Sequence, residues 1–120
     1  MNGKDHLIKA LEICGGCEAL VQTLPENPGK APFLKKIADQ KAVIESMMER
    51  VFFKTPKGMN SASIVLESCE KLDESIKNLA KGPEETGPKR WAEAEEDLQE
   101  FADRVEGMVQ AAQGKTLAFT

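Results

Sequence analysis

The chain has no tyrosine, a single tryptophan and a single histidine. The shortage of histidine closes off much catalytic and metal chemistry. A ferritin-like di-iron bundle needs Glu-x-x-His pairs on two helices, and no glutamate lies three residues before His6. A Ser-His-Asp arrangement would have to recruit that same residue. No stretch approaches the ~20 apolar residues that span a bilayer. The opening Met1-Asn2-Gly3-Lys4-Asp5-His6 has neither an apolar signal core nor the serine or threonine that a myristoylation pattern places where His6 stands. A basic footprint is also missing. Sixteen Lys and Arg against twenty Asp and Glu leave a formal net charge of −4, which argues against general nucleic-acid binding. Cysteine is scarce and odd in number: three residues cannot all pair within one chain. Reduced thiols, a cytoplasmic setting and no cofactor are the resulting expectations.

What is present favours helix. Glutamate, lysine, alanine and leucine dominate the chain. At 120 residues the expectation is one domain with a real apolar core and no need of disulfides or metals. Four amphipathic stretches, Lys4–Leu24, Pro32–Lys54, Ser61–Lys81 and Pro88–Gln113, repeat apolar residues at helical spacing. In the fourth, Trp91, Ala94, Leu98, Phe101, Val105, Met108 and Ala112 form one seam. Pro88 opens it and Gly114 caps it. Val65, Cys69, Leu72, Ile76 and Leu79 make the seam of the third, with Asn60 or Ser61 as cap and Gly82-Pro83 as stop. The second carries Phe33, Ile37, Ile44, Met47, Met48 and Val51 on one face and ends before Thr55-Pro56. Val43 and Phe53 fall off that face and are candidates for a dimer contact. Loops of about six or seven residues predict antiparallel neighbours, hence an all-α, up-down-up-down four-helix bundle. Residues 115–120 are expected to be a flexible tail.

Most of the possible sites are easily set aside. Glu93, Glu96, Glu100 and Asp103 on the fourth helix read as a solvated outer face. Gly114-Lys115-Thr116 is not the end of a P-loop, because Val109 stands where that motif needs glycine. The run His6-Leu7-Ile8-Lys9-Ala10 is similar to the histidine motif of histidine-phosphotransfer domains, which are also four-helix bundles; Gly16 is a further match. The resemblance implies phosphotransfer at His6. Family members carry that histidine exposed within a later helix, whereas here it is near the N-terminus and alanine replaces the usual glycine.

Cys14-Gly15-Gly16-Cys17 is the locally unusual string. Its cysteines are three apart and share the apolar face of Leu7, Ala10, Leu11, Val21 and Leu24. With the first and third helices parallel across the core diagonal, Cys14, Cys17 and Cys69 would lie at one level. Met47, Met48 and Met108 could add soft sulfur, a donor set suited to Cu(I) or zinc. Ordinary core packing is the first expectation for such thiols; a reversible thiol switch and a soft-metal site are the alternatives. Gly15 and Gly16 lie outside the apolar arc, where each costs about 0.8–1 kcal/mol against alanine. A bend, a local opening beside the cysteines, or close approach of a partner helix would account for them. The functional expectation is a bundle without catalysis of its own that binds another protein, as an adaptor, chaperone-like or regulatory subunit, with a homodimer as one form. A thiol-based redox or soft-metal protein is the alternative, and phosphotransfer the third.

Overall fold

The computed structural model describes residues 2–81 and 87–114, and among these it is helical with no strand. Helix α1 spans Gly3–Gln22, α2 Lys30–Met47, α3 Pro56–Lys81 and α4 Gly87–Ala112. A 3-10 turn, Val51–Lys54, joins α2 to α3. The anticipated flexible tail and the Gly82-Pro83 stop lie outside the described residues.

Local chemistry sets the ends. Asn2 and Asp5 form a reciprocal capping box at α1, each side chain accepting the other's backbone N–H at 3.1 Å. At the far end of α1, the Lys30 ammonium donates to the carbonyls of Gln22 and Leu24, at 3.0 and 2.8 Å. Cations favour such unsatisfied helix carbonyls. Gly114 closes α4 with φ +77°, as a left-handed cap requires.

The largest departure from the sequence reading is at Thr55-Pro56. That pair starts α3 rather than merely ending α2. Thr55 Oγ1 accepts the Gly58 N–H at 3.1 Å, and Pro56 takes the first helical position, where its missing N–H leaves nothing unsatisfied. Helix α3 therefore begins five residues ahead of Ser61. Helix α2 stops at Met47, and the 3-10 turn changes the direction of the chain. Val51, expected on the buried face, is 71% exposed, while Phe53, expected outside it, is 1% exposed in the core.

The apolar seams otherwise lie where the spacing puts them. Leu7, Ala10, Cys14, Cys17 and Val21 of α1 meet Val65, Cys69, Leu72, Ile76 and Leu79 of α3, together with Phe33, Ile37, Ile44 and Met47 of α2 and Leu98, Phe101, Val105 and Met108 of α4, in one core. Burying each larger aliphatic or aromatic side chain contributes about 1.5–3 kcal/mol. Ala62 and Leu66 widen the buried side of α3 beyond its predicted seam.

Cross-helix pairs give the directions. Gly3 lies against Gly58, Cys14 against Cys69 and Cys17 against Asp73, so α1 and α3 run the same way in register. Lys71 with Glu100, Ser75 with Asp97 and Arg90 with the Asn78 carbonyl run α4 opposite to α3. Lys41 with Glu18 at 2.7 Å, and Lys4 with Glu49 just beyond the end of α2 at 2.6 Å, run α2 opposite to α1. Phe33 and Trp91 meet edge to face at 5.5 Å between α2 and α4. The extensive contacts are α1 with α3 and α3 with α4. Helices α1 and α3 are thus packed neighbours, not the diagonal pair that the sequence reading placed across the core. At their N-termini the 3-10 turn is packed tightly against both helices, where Gly3 and Gly58 leave room for the Phe52 and Phe53 backbone.

Candidate functional site

Seen from α1, the molecule has a sealed inner face and an open outer one. The inner face holds the thiols. Cys14, Cys17 and Cys69 are all free, with 0% exposure. The matching register of α1 and α3 brings Cys14 Sγ within 3.6 Å of Cys69 Sγ. The Cys69 thiol also faces the Ala10 carbonyl at 3.5 Å.

Cys17 behaves differently. It lies one turn further along and donates from Sγ to Asp73 Oδ1 at 3.6 Å. Asp73 is in turn held by Lys77 at 2.9 Å. Burial, and then the neighbouring Asp73 carboxylate, push the Cys17 thiol far above the ordinary range. Cys69 is also pushed up, first by its hydrogen bond with Cys14 and then by burial. Both are held as thiols, so neither is a ready nucleophile in the closed structure. Asp73 escaped the sequence reading. The signal was available, since Asp73 follows Cys69 by four residues and shares its helix face.

The three predicted thiols are therefore brought to one region but not to one focus. Among the described residues no group of three His, Cys, Asp or Glu side chains is placed to hold a metal ion. Met47 and Met108 are buried core residues, and Met48 is partly buried.

The outer face holds the glycines. Gly15 and Gly16 lie in an uninterrupted helix with no positive φ. A Cβ built on either meets nothing within 4 Å. Neither residue is needed for a left-handed conformation or for close packing inside this fold. Ile8, Glu12, Gly15 and Ala19 share this side at helical spacing, and Ile8 is among the exposed large apolar residues.

The remaining candidates are spread over the fold. Val43 is partly buried and packs against the core. Phe53 is inside it, because the 3-10 turn swings its side chain between the starts of α1 and α3; it is unavailable as a surface contact. His6 is partly buried in the first turns of α1, and its Nδ1 is buried with no hydrogen-bond partner. On α4, Glu100 pairs with Lys71 at 3.2 Å and with Arg104 at 4.0 Å, Asp103 accepts from Gln99 at 2.9 Å, and Glu93, Glu96 and Asp103 are exposed. No described helix is long and apolar enough to cross a membrane. Comparison with protein-family models, with curated proteins and with solved structures gives no match.

Proposed function

We propose that this chain is a cytoplasmic up-down-up-down helical bundle that acts by binding another protein, without catalysis of its own, and that an α-helix of that protein docks along the outer side of α1. The supporting observation is the open space at Gly15 and Gly16. Two glycines in a helix interior cost stability that alanine would restore, and nothing inside the fold requires them. Absence of a Cβ lets a second backbone come close, and Ile8 and Ala19 extend the same side along the helix.

The test is a bulky substitution that the fold tolerates. Gly16→Arg raises helix propensity, and the Cβ it adds meets nothing of the chain within 4 Å. A partner retained by the wild-type protein and by a Lys57→Ala control, but lost by folded Gly16→Arg, supports the reading. Equal recovery by all three overturns it. A wild-type dimer that Gly16→Arg makes monomeric assigns the face to a second copy of this chain and overturns the heterologous partner.

The alternative is thiol chemistry. The sulfur–sulfur contact of Cys14 and Cys69 supports the redox form of that alternative rather than its soft-metal form using Cys14, Cys17 and Cys69.

A further inference from the structure

The sequence presents Cys14-Gly15-Gly16-Cys17 as the natural pair, but the fold pairs its thiols differently. We propose that Cys14 and Cys69 are an oxidisable pair, which a hydroperoxide converts to an intramolecular disulfide tying the middle of α1 to the middle of α3. This inference draws on the same Gly15 and Gly16 but does not require a helix docked on the outer face.

Geometry selects the pair. The two sulfurs stand 3.6 Å apart on helices that run side by side in register. A disulfide needs about 2.05 Å, so the pair must close by roughly 1.5 Å. The Cys14–Cys17 alternative is poorer. Residues three apart on a helix hold their Cβ atoms about 5–6 Å apart, and a disulfide needs them at about 3.5–4.5 Å. Cys17 is also turned to Asp73.

Access is the remaining requirement, because both sulfurs are fully buried. The glycines beside Cys14 supply it. They are the weakest helix formers in the interior of α1, with Gly15 next to Cys14 and Gly16 next to Cys17, so the centre of α1 opens more readily than a glycine-free helix would. The neighbours of Cys69 on α3, Leu66-Glu67-Ser68 and Glu70-Lys71-Leu72, include no glycine. Opening therefore exposes the α1 thiols, Cys14 beside Gly15 and Cys17 beside Gly16, before Cys69, and of those two it is Cys14 that has a sulfur within reach.

Oxidation then takes two steps. In the open state the Cys14 thiolate attacks a peroxide oxygen. The O–O bond breaks, the distal oxygen leaves with a proton as alcohol or water, and Cys14 becomes a sulfenic acid. While α1 is still displaced, the burial and the Cys14 contact that hold Cys69 as a thiol are relaxed, so Cys69 can lose its proton and its sulfur attacks Cys14 Sγ. The S–O bond breaks, the S–S bond forms, and the sulfenic oxygen leaves as water carrying the Cys69 proton. Two thiols lose two electrons to one hydroperoxide, and a thiol reductant reverses the change.

The experiment treats the reduced full chain with hydrogen peroxide, blocks residual thiols, and maps peptides without reduction. The expected product links the Cys14 peptide to the Cys69 peptide and leaves Cys17 free for alkylation. Cys17→Ser still forms the bridge. Gly15→Ala with Gly16→Ala slows its formation by roughly tenfold or more, from the helix propensity restored at two positions, yet matches wild type when both are oxidised in denaturant. A Cys14–Cys17 bridge, a bridge between chains, loss of the product in Cys17→Ser, or an unchanged rate in the double alanine variant overturns the proposal.

Discussion

Two pairs of glycines occupy the same bundle for opposite reasons. At the corner where α1 and α3 begin, Gly3 and Gly58 are compulsory. A Cβ on Gly58 would overlap the Phe52 carbonyl oxygen and stand 2.6 Å from its carbon. One on Gly3 would stand 2.8 Å from the Phe53 carbonyl oxygen and 2.9 Å from Phe53 Cβ. Halfway along α1, Gly15 and Gly16 face empty space. One pair lets the chain pack against itself; the other weakens a helix without any internal return. A glycine is informative only once its missing Cβ is given a position, and the sequence does not give one.

The contrast can be broken at its tight end first. Gly58→Ala should destabilise the protein by about 3 kcal/mol, because backbone atoms rather than a flexible side chain must yield; the urea midpoint reads it. A near-neutral result would mean that the corner relaxes and that the two pairs are alike.

A second test asks whether the thiols beside the open glycines are nonetheless sealed. Cys17 and Cys69 hold their protons in the folded state to higher pH than in the unfolded chain. Their contribution is fully present below about pH 9 and is lost as pH rises. The slope is about 1.4 kcal/mol per pH unit for each thiol. Urea titrations at successive pH values should show this fall, and a variant with both cysteines replaced by alanine should lack it. An identical slope in that variant would show that solvent already reaches the sulfurs.

At the open end, Gly15→Ala with Gly16→Ala should raise stability by about 2 kcal/mol, read as a higher melting temperature. Destabilisation would mean that the two positions are occupied in the folded state. The smallest expected effect is at the junction that positions the tight corner. Thr55→Ala should cost about 1 kcal/mol through loss of the cap to Gly58, measured by the same melts. No change would leave Pro56 alone to start α3.

Sequence spacing located the helices and most of the core. The seams through Leu7, Cys14 and Val21, through Cys69, Leu72 and Ile76, and through Leu98, Phe101 and Val105 are all buried. It misread Thr55-Pro56 because a proline that forbids helix before it also favours helix after it, and only the cap to Gly58 decides between the two. Phe53 and Val51 exchanged places for the same reason: helical phase was carried through a turn that changes it. Around the thiols, spacing put Cys14, Cys17 and Cys69 at one level, yet it could not say which sulfurs touch. That depends on α1 and α3 being neighbours, a fact of tertiary order that no single helix encodes.

The register of α1 with α3 also imposes an order of events on the growing chain. Cys14 meets a residue 55 positions later. During synthesis α1 emerges with its apolar face complete and its principal partner unmade. Within this stretch α2 and the 3-10 turn are what can shelter it until residues beyond Pro56 have left the ribosome, and their contacts with α1 are sparser than those of α3. The decisive pairing closes a long loop, a slow kind of contact to form. The interval before it closes is when this protein is most exposed to misassembly.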